Sequence, residues 1–330
     1  MNLFELIVEP KSPFGTPLKG DTLFGQLCWK IEQSGNLLGY KLEDLLKDYD
    51  TRPFVILSSA FLRNENSYIM KIPALPLSLL FPQYQDRKKK KELKKKKWLV
   101  VPNDFRVSVK EENLIGSRTL FEKKIYVNGK EKLKCTEVIL SDTQFHNTIN
   151  RLWGTTGEGE FAPYSAKQEY YLPELQWAIF VGIDESLDSQ KVRDGLEVIG
   201  LEGYGRDAST GLGKYEVIEW NPITFPTLLN ANACYTLSPS VPEPDTFDQT
   251  FFLPFVRFGR HGDWLAKSSN PFKNPVIMAD EGAVFVPRLE KREETLSKPY
   301  LGRGLRNLSK VMPETVCQGY SLYLPFQVEV

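Results

Sequence analysis

The chain has 330 residues, of which 41% are hydrophobic, 25% charged and 12% aromatic. That suits one large domain or, better, two modest ones, and excludes a disordered or collagen-like polymer. Lys+Arg and Asp+Glu each total 42, and a formal net charge of zero argues at face value against a nucleic-acid binder. The balance is a sum of two unlike parts. Residues 87–97 (RKKKKELKKKK) hold nine basic residues and one acid; taking them away leaves 33 basic against 41 acidic residues, a net charge of −8.

Residues 3–8 (LFELIV) read as a short buried strand, followed by a loop punctuated by Pro10, Pro13, Gly15 and Pro17. Asp21 is placed to cap a helix that carries Leu23, Phe24, Leu27, Cys28 and Ile31 on one face. Residues 54–61 (FVILSSAF) form a second strand, and a Pro-studded stretch, 72–82, leads into the lysine run. The run reads either as a solvated loop tip or as an electrostatic contact with RNA, disordered in both cases. Residues 103–164 are polar and mixed, with a hairpin signal at 127–130 (VNGK). Residues 175–183 (LQWAIFVGI) form a core strand, 189–199 a helix with Val192, Leu196 and Ile199 on one face, and 214–220 another strand.

This order predicts an α+β chain with a ferredoxin-like, RNA-recognition-type βαββαβ domain over residues 1–221, interrupted by a large insertion at about 62–170. Pro222 and Pro226 mark a boundary to a second, strand-rich α+β unit over 222–330, compatible with a diverged ferredoxin-like copy. Its expected strands are 233–237, 251–258, 276–278, 283–286 and 320–330.

The start of the chain has no basic segment followed by an apolar core, and no run of apolar residues is long enough to span a membrane. Cys28, Cys135, Cys234 and Cys317 are scattered without a CxxC pair, which reads as free thiols in a reducing cytoplasm, with no metal site. The two histidines, His146 and His261, read as a surface or helix-start residue and a loop residue.

Residues 203–213 (GYGRDASTGLG) place Gly203, Gly205, Gly211 and Gly213 within eleven positions, with Arg206, Ser209, Thr210 and Lys214 among or beside them. Glycine permits positive φ and close backbone approach, and successive N–H groups can cradle phosphate oxygens. The loop follows a helix and enters a strand, so it is neither a Walker nor a dinucleotide motif. Four glycines exceed the needs of one turn, which favours a backbone-to-backbone or backbone-to-phosphate contact.

The block GYGRDASTGLGKYEV resembles the glycine-rich signature of the RAMP superfamily, the repeat-associated proteins of CRISPR systems. LKGDTLFGQLCW (18–29), NTINRLWGTTGEGEFAPY (147–164), NPFKNPVIMADEGAVF (270–285) and QGYSLYLPFQVEV (318–330) extend the resemblance over roughly the whole chain. They narrow it to the type III group that holds the 5′ end of the CRISPR RNA (crRNA). The resemblance implies a non-catalytic, cofactor-free, cytoplasmic subunit. It would bind the repeat-derived 5′ tag and join the large polymerase-like signalling subunit to the adjacent backbone RAMP subunits. Carried over by position, Gly203, Gly205, Gly211 and Gly213 would shape the loop against the tag, and Arg206, Ser209, Thr210 and Lys214 would contact phosphates or sugars. Lys19 would meet RNA near the first helix, and Arg151 would offer a phosphate contact beside a stacking surface on Trp153. The alternative within the superfamily is an endoribonuclease that processes precursor crRNA, for which His146 is the one candidate base. The clusters at Asp280 and Glu281 and at 290–294 read as ordinary exposed charge.

Overall fold

A computed structural model describes residues 1–84, 86–116, 123–127, 130–135, 138–172 and 175–328. In chain order, β1 (Asn2–Pro10), α1 (Gly20–Ser34), α2 (Leu42–Leu46), β2 (Val55–Asn64) and β3 (Ser67–Lys71) come first. Next are α3 (Leu77–Leu80), α4 (Arg87–Leu93), β4 (Lys96–Pro102), β5 (Leu114–Gly116), β6 (Lys123–Val127), β7 (Lys130–Cys135), β8 (Ile139–His146) and β9 (Tyr164–Tyr171). Then β10 (Gln176–Ile183), α5 (Ser189–Glu202) and β11 (Tyr215–Ile223) complete the first half. The second half holds β12 (Ala233–Thr236), β13 (Phe247–Phe251), β14 (Pro254–Arg257), β15 (Val276–Ala279), β16 (Val284–Pro287), α6 (Arg292–Ser297), β17 (Tyr300–Leu305) and β18 (Cys317–Phe326).

Seven strands form one sheet in the order β11-β1-β10-β2-β3-β4-β5. Within it β1 is antiparallel to both β10 and β11, and β10 to β2. The apolar run at the centre of β1 is buried on both faces, as Leu6, Ile7 and Val8 all show. Helices α1 and α5 connect β1 to the rest of the sheet and β10 to β11, and their apolar stripes (Leu23, Phe24, Leu27 and Ile31; Val192, Leu196 and Ile199) bury fully. Each such side chain contributes about 1.5–3 kcal/mol. Phe180, on β10, meets the rings of Phe61, Tyr68, Phe105 and Phe225. Glu5 is tolerated in this interior because it accepts a hydrogen bond of 2.6 Å from the Tyr68 hydroxyl.

A second sheet, β13-β16-β12-β18-β17, shares this core. Its long strand β18 docks on β2, where Gln318 donates to the Leu57 carbonyl (2.7 Å) and accepts from the Leu57 N–H (2.9 Å). Two-stranded ribbons β14-β15, β6-β7 and β8-β9 complete the strand set among the described residues. In the hairpin expected at 127–130, Val127 pairs with Lys130; Asn128 and Gly129 lie outside the described residues.

Three expectations fail. The strand expected at 251–258 is divided between β13, which ends at Phe251, and β14, and the two belong to different sheets. The lysine run is folded: Asp86 caps α4 by accepting from the Lys89 N–H, Leu93 is buried, and the chain passes into β4, paired along β3. Asp21 is not the cap of α1. The helix already starts at Gly20, where a Cβ would lie 1.9 Å from the Leu57 carbonyl oxygen, and the Asp21 carboxylate is taken by Arg257 (2.5 and 2.9 Å).

Candidate nucleic-acid interface

Two loops meet where β1 ends and β11 begins. Residues 11–19 leave β1 and residues 203–214 enter β11, and their backbones interlock. Gly213 N–H donates to the Pro13 carbonyl (2.7 Å), Lys214 N–H to Ser12 Oγ (2.8 Å), and Lys11 N–H to the Lys214 carbonyl (2.8 Å). Arg206 N–H donates to Thr16 Oγ1 (3.1 Å). Tyr204, fully buried, donates its hydroxyl to the Pro17 carbonyl (2.8 Å) and accepts from Lys19 N–H (3.1 Å), and burial pushes its phenol well above the ordinary range.

The glycines divide by role. Gly203 and Gly213 are buried, and a Cβ on Gly213 would sit 2.0 Å from the Tyr204 carbonyl oxygen. A Cβ on Gly205 would press within 2.7 Å of Thr16. Gly211 has open space around its Cβ position and is required only by its φ of +97°. Gly203 and Gly213 therefore serve backbone-to-backbone approach, the first of the two contacts expected from the number of glycines, and Gly205 makes room for the Thr16 side chain.

What the interlock leaves exposed is the turn at its crest. Among the described residues, the N–H groups of Gly205, Asp207, Ala208 and Ser209 make no hydrogen bond. The side chains of Ser209 and Lys214 are exposed and have no partner among the described residues. Thr210 Oγ1 donates to the Asp207 carbonyl (2.8 Å), within the turn itself. The Arg206 guanidinium is half committed, ion-paired to Asp207 at 3.2 Å and donating to the Lys167 carbonyl.

That last bond ties in the β8-β9 ribbon, which is also bridged to the first loop through Phe14 and Glu169 (2.8 and 2.9 Å). Lys167, exposed on β9 beside the loop, escaped the sequence reading; the alternation of residues 164–171 was the available signal. The far end of the ribbon carries Phe145, Leu152 and Trp153, each at least 80% exposed, with Arg151 exposed beside them. Sequence reasoning found Arg151 and Trp153 but not Phe145 or Leu152, and the ribbon links their segment to the glycine loop, since Lys167, held by Arg206, pairs with Thr143 two residues before Phe145. His146 stacks on Tyr164 at 5.1 Å.

The backbone of Lys19 belongs to the interlock, but its side chain is engaged elsewhere. Its ammonium lies 2.6 Å from Asp280 and 2.6 Å from Glu281, over the Phe255 ring, and Lys71 reaches the same two carboxylates at 2.7 Å each. Asp280 and Glu281, expected to be exposed charge, are thus largely buried and paired, because two lysines converge on their turn. Burial pushes the Asp280 carboxyl up, but its hydrogen bond with Glu281 and the two ammonium groups outweigh this and hold it well below the usual range.

Neither a family model nor a curated protein matches the sequence. Solved structures do. The chain is similar to one in the crystal structure of a Csm3-Csm4 subcomplex of the type III-A CRISPR-Cas interference complex: TM-score 0.60, 16% identity, covering 99% of this chain and 100% of that one. It is also similar to one in a Csm1-Csm4 cassette in complex with pppApA: TM-score 0.54, 15% identity, covering 100% and 99%. Csm4 is the component the two share. The chain has the Csm4 fold. The likeness runs end to end, so the glycine loop and the β8-β9 ribbon both lie within it, and it agrees with the resemblance read from the motifs.

Proposed function

We propose that the chain is a non-catalytic, cytoplasmic, crRNA-binding subunit of a type III CRISPR effector. It holds the repeat-derived 5′ tag and links the large signalling subunit to the backbone subunits. The observation that carries this reading is the crest of the 203–214 loop: four free backbone N–H groups beside the unpartnered Ser209 and Lys214, on a chain with the Csm4 fold. Such a crest suits phosphate oxygens, since its donors are fixed before the ligand arrives. Ser209, Lys214, Arg206 and Lys167 supply hydroxyl and charge, while Gly203, Gly205 and Gly213 hold the frame. Arg151 and Trp153 offer a phosphate contact and a stacking face. Lys19, engaged by two carboxylates, stands outside the interface.

A ferredoxin-like layout for residues 1–221, with 222–330 as a second domain, is supported by the order β11-β1-β10-β2 and by the crossovers α1 and α5. The matched complexes contain Csm1 and Csm3, which favours a large subunit and a backbone subunit as neighbours here. They lend no support to a precursor-cleaving enzyme. Among the described residues, no helix is long and apolar enough to cross a membrane.

The test is the affinity of the assembled complex for crRNA with and without its 5′ tag. Tighter binding of tagged RNA, reduced by Lys214→Ala, is expected; equal affinity for both RNAs overturns the reading.

A further inference from the structure

The lysine run is a presented surface rather than a loose tip. Asp86 caps α4, Leu93 anchors it in the core, and Lys96 donates to the Leu114 carbonyl at 3.3 Å. The acids nearby are spent on one residue: Glu92 and Glu111 both pair with Lys89, over the ring of Tyr84. Arg87, Lys88, Lys91, Lys94, Lys95 and Lys97 are left exposed, with no ion pair among the described residues. Within α4, Arg87 and Lys91 stand four residues apart and Lys88 and Lys91 three apart, so like charges face one another and oppose the helix. The fold holds these cations together against their own repulsion, while the rest of the chain carries a net charge of −8.

The position is separate from the tag loop. Strand β4 lies five inter-strand steps from β11, about 24 Å at roughly 4.8 Å per step. The run also enters β4 at the opposite end of the strands, since Ser67 pairs with Pro102 and Lys71 with Trp98.

We propose that the α4–β4 corner is a second, sequence-independent seat for the phosphate backbone of nucleic acid, and that the exposed lysines are its contacts. A polyanion supplies the counter-charge that the protein withholds, and releases the ions condensed on it. Contact with the phosphate backbone needs no base-specific group. The proposal is independent of the tag reading, because the two sites share no residue.

The test replaces Lys88, Lys91, Lys94 and Lys95 with Gln in the full chain. Binding is titrated with a fluorescent untagged RNA, a duplex DNA of equal length and poly-glutamate over a salt series. At about 0.7–0.9 per contact, the slope of log affinity against log salt should fall by about three for both nucleic acids, which makes the loss of affinity between 50 and 200 mM salt about 60-fold smaller. The matching Lys→Arg variant should keep the wild-type slope, and the thermal midpoint of the Gln variant should not drop. An unchanged slope overturns the proposal. So does a loss confined to poly-glutamate, which would assign the corner to an acidic protein. The preference for tagged over untagged RNA should survive the Gln variant; loss of that preference only in 203–214 variants keeps the two readings apart.

Discussion

The 203–214 loop and the 87–97 run both lead into strands of the same sheet, and they present polar groups in opposite ways. In the first, side chains are few and the backbone is pinned: Gly213, Lys214 and Arg206 donate to the neighbouring loop, and four N–H groups of the turn are left without a partner among the described residues. In the second the backbone is satisfied by α4 and β4, and the side chains carry all the chemistry. Fixed donors can read the shape of one short segment, whereas a field of flexible ammonium groups attracts any polyanion. The overall charge of zero described neither, since one site has little charge and the other is offset by the rest of the chain.

The contrast breaks most readily at Gly213. In Gly213→Ala a methyl group would press on the Tyr204 carbonyl at a φ of +73°, and urea unfolding should show a loss of about 3 kcal/mol, with tag binding falling alongside. A variant of near wild-type stability would mean that the two loops are not interlocked. Next is Asp280→Asn, expected to cost about 2 kcal/mol at neutral pH because two lysines lose a shared carboxylate. The folded-state value of Asp280 is depressed, so its contribution is present above the ordinary carboxyl range near ~4 and fades as pH falls below it. The gap between wild type and variant should therefore narrow between neutral and acid denaturation series. Lys19→Met should weaken folding in the same assay yet leave the salt slope for tagged RNA unchanged, which separates a buried cation from an interfacial one.

Smaller effects sharpen the picture of the crest. Lys214→Ala should lower affinity for tagged RNA severalfold and reduce the salt slope by about 0.7, read from titrations at several salt concentrations. Arg206→Ala should do the same and also release the Lys167 carbonyl of the ribbon, seen as faster amide exchange along β9. Gly211→Ala meets no atom and should cost only about 1 kcal/mol by thermal melting, from its positive φ alone.

Much of the first sheet was legible in the sequence. Strands β1, β2 and β10 are apolar runs, and α1 and α5 show clean helical periodicity, so local pattern and tertiary burial agree. The lysine run was misread because what orders it lies far away in sequence or is single: Leu93 in the core, and the pairing of β4 with β3. Strand β17 was missed because YLGRGL, with two glycines, has weak strand character until β18 lies beside it. At the site, the glycine spacing signalled close approach without naming its partner, which is the loop after β1. For Lys19, nothing local shows that two carboxylates, from residues 280 and 281, reach its ammonium.

The interlocked loops also constrain how such a chain can drift over generations. A Cβ at Gly15 would lie 2.6 Å from the Arg206 carbonyl oxygen, and Gly205 is held against Thr16, so positions nearly two hundred residues apart share one small volume. The atom that limits position 15 is a backbone oxygen, and 205 already carries the smallest residue, so a side-chain change in one loop cannot make room for a larger residue at 15 or 205 in the other. Both glycines should therefore be retained across related sequences for the sake of the interlock alone.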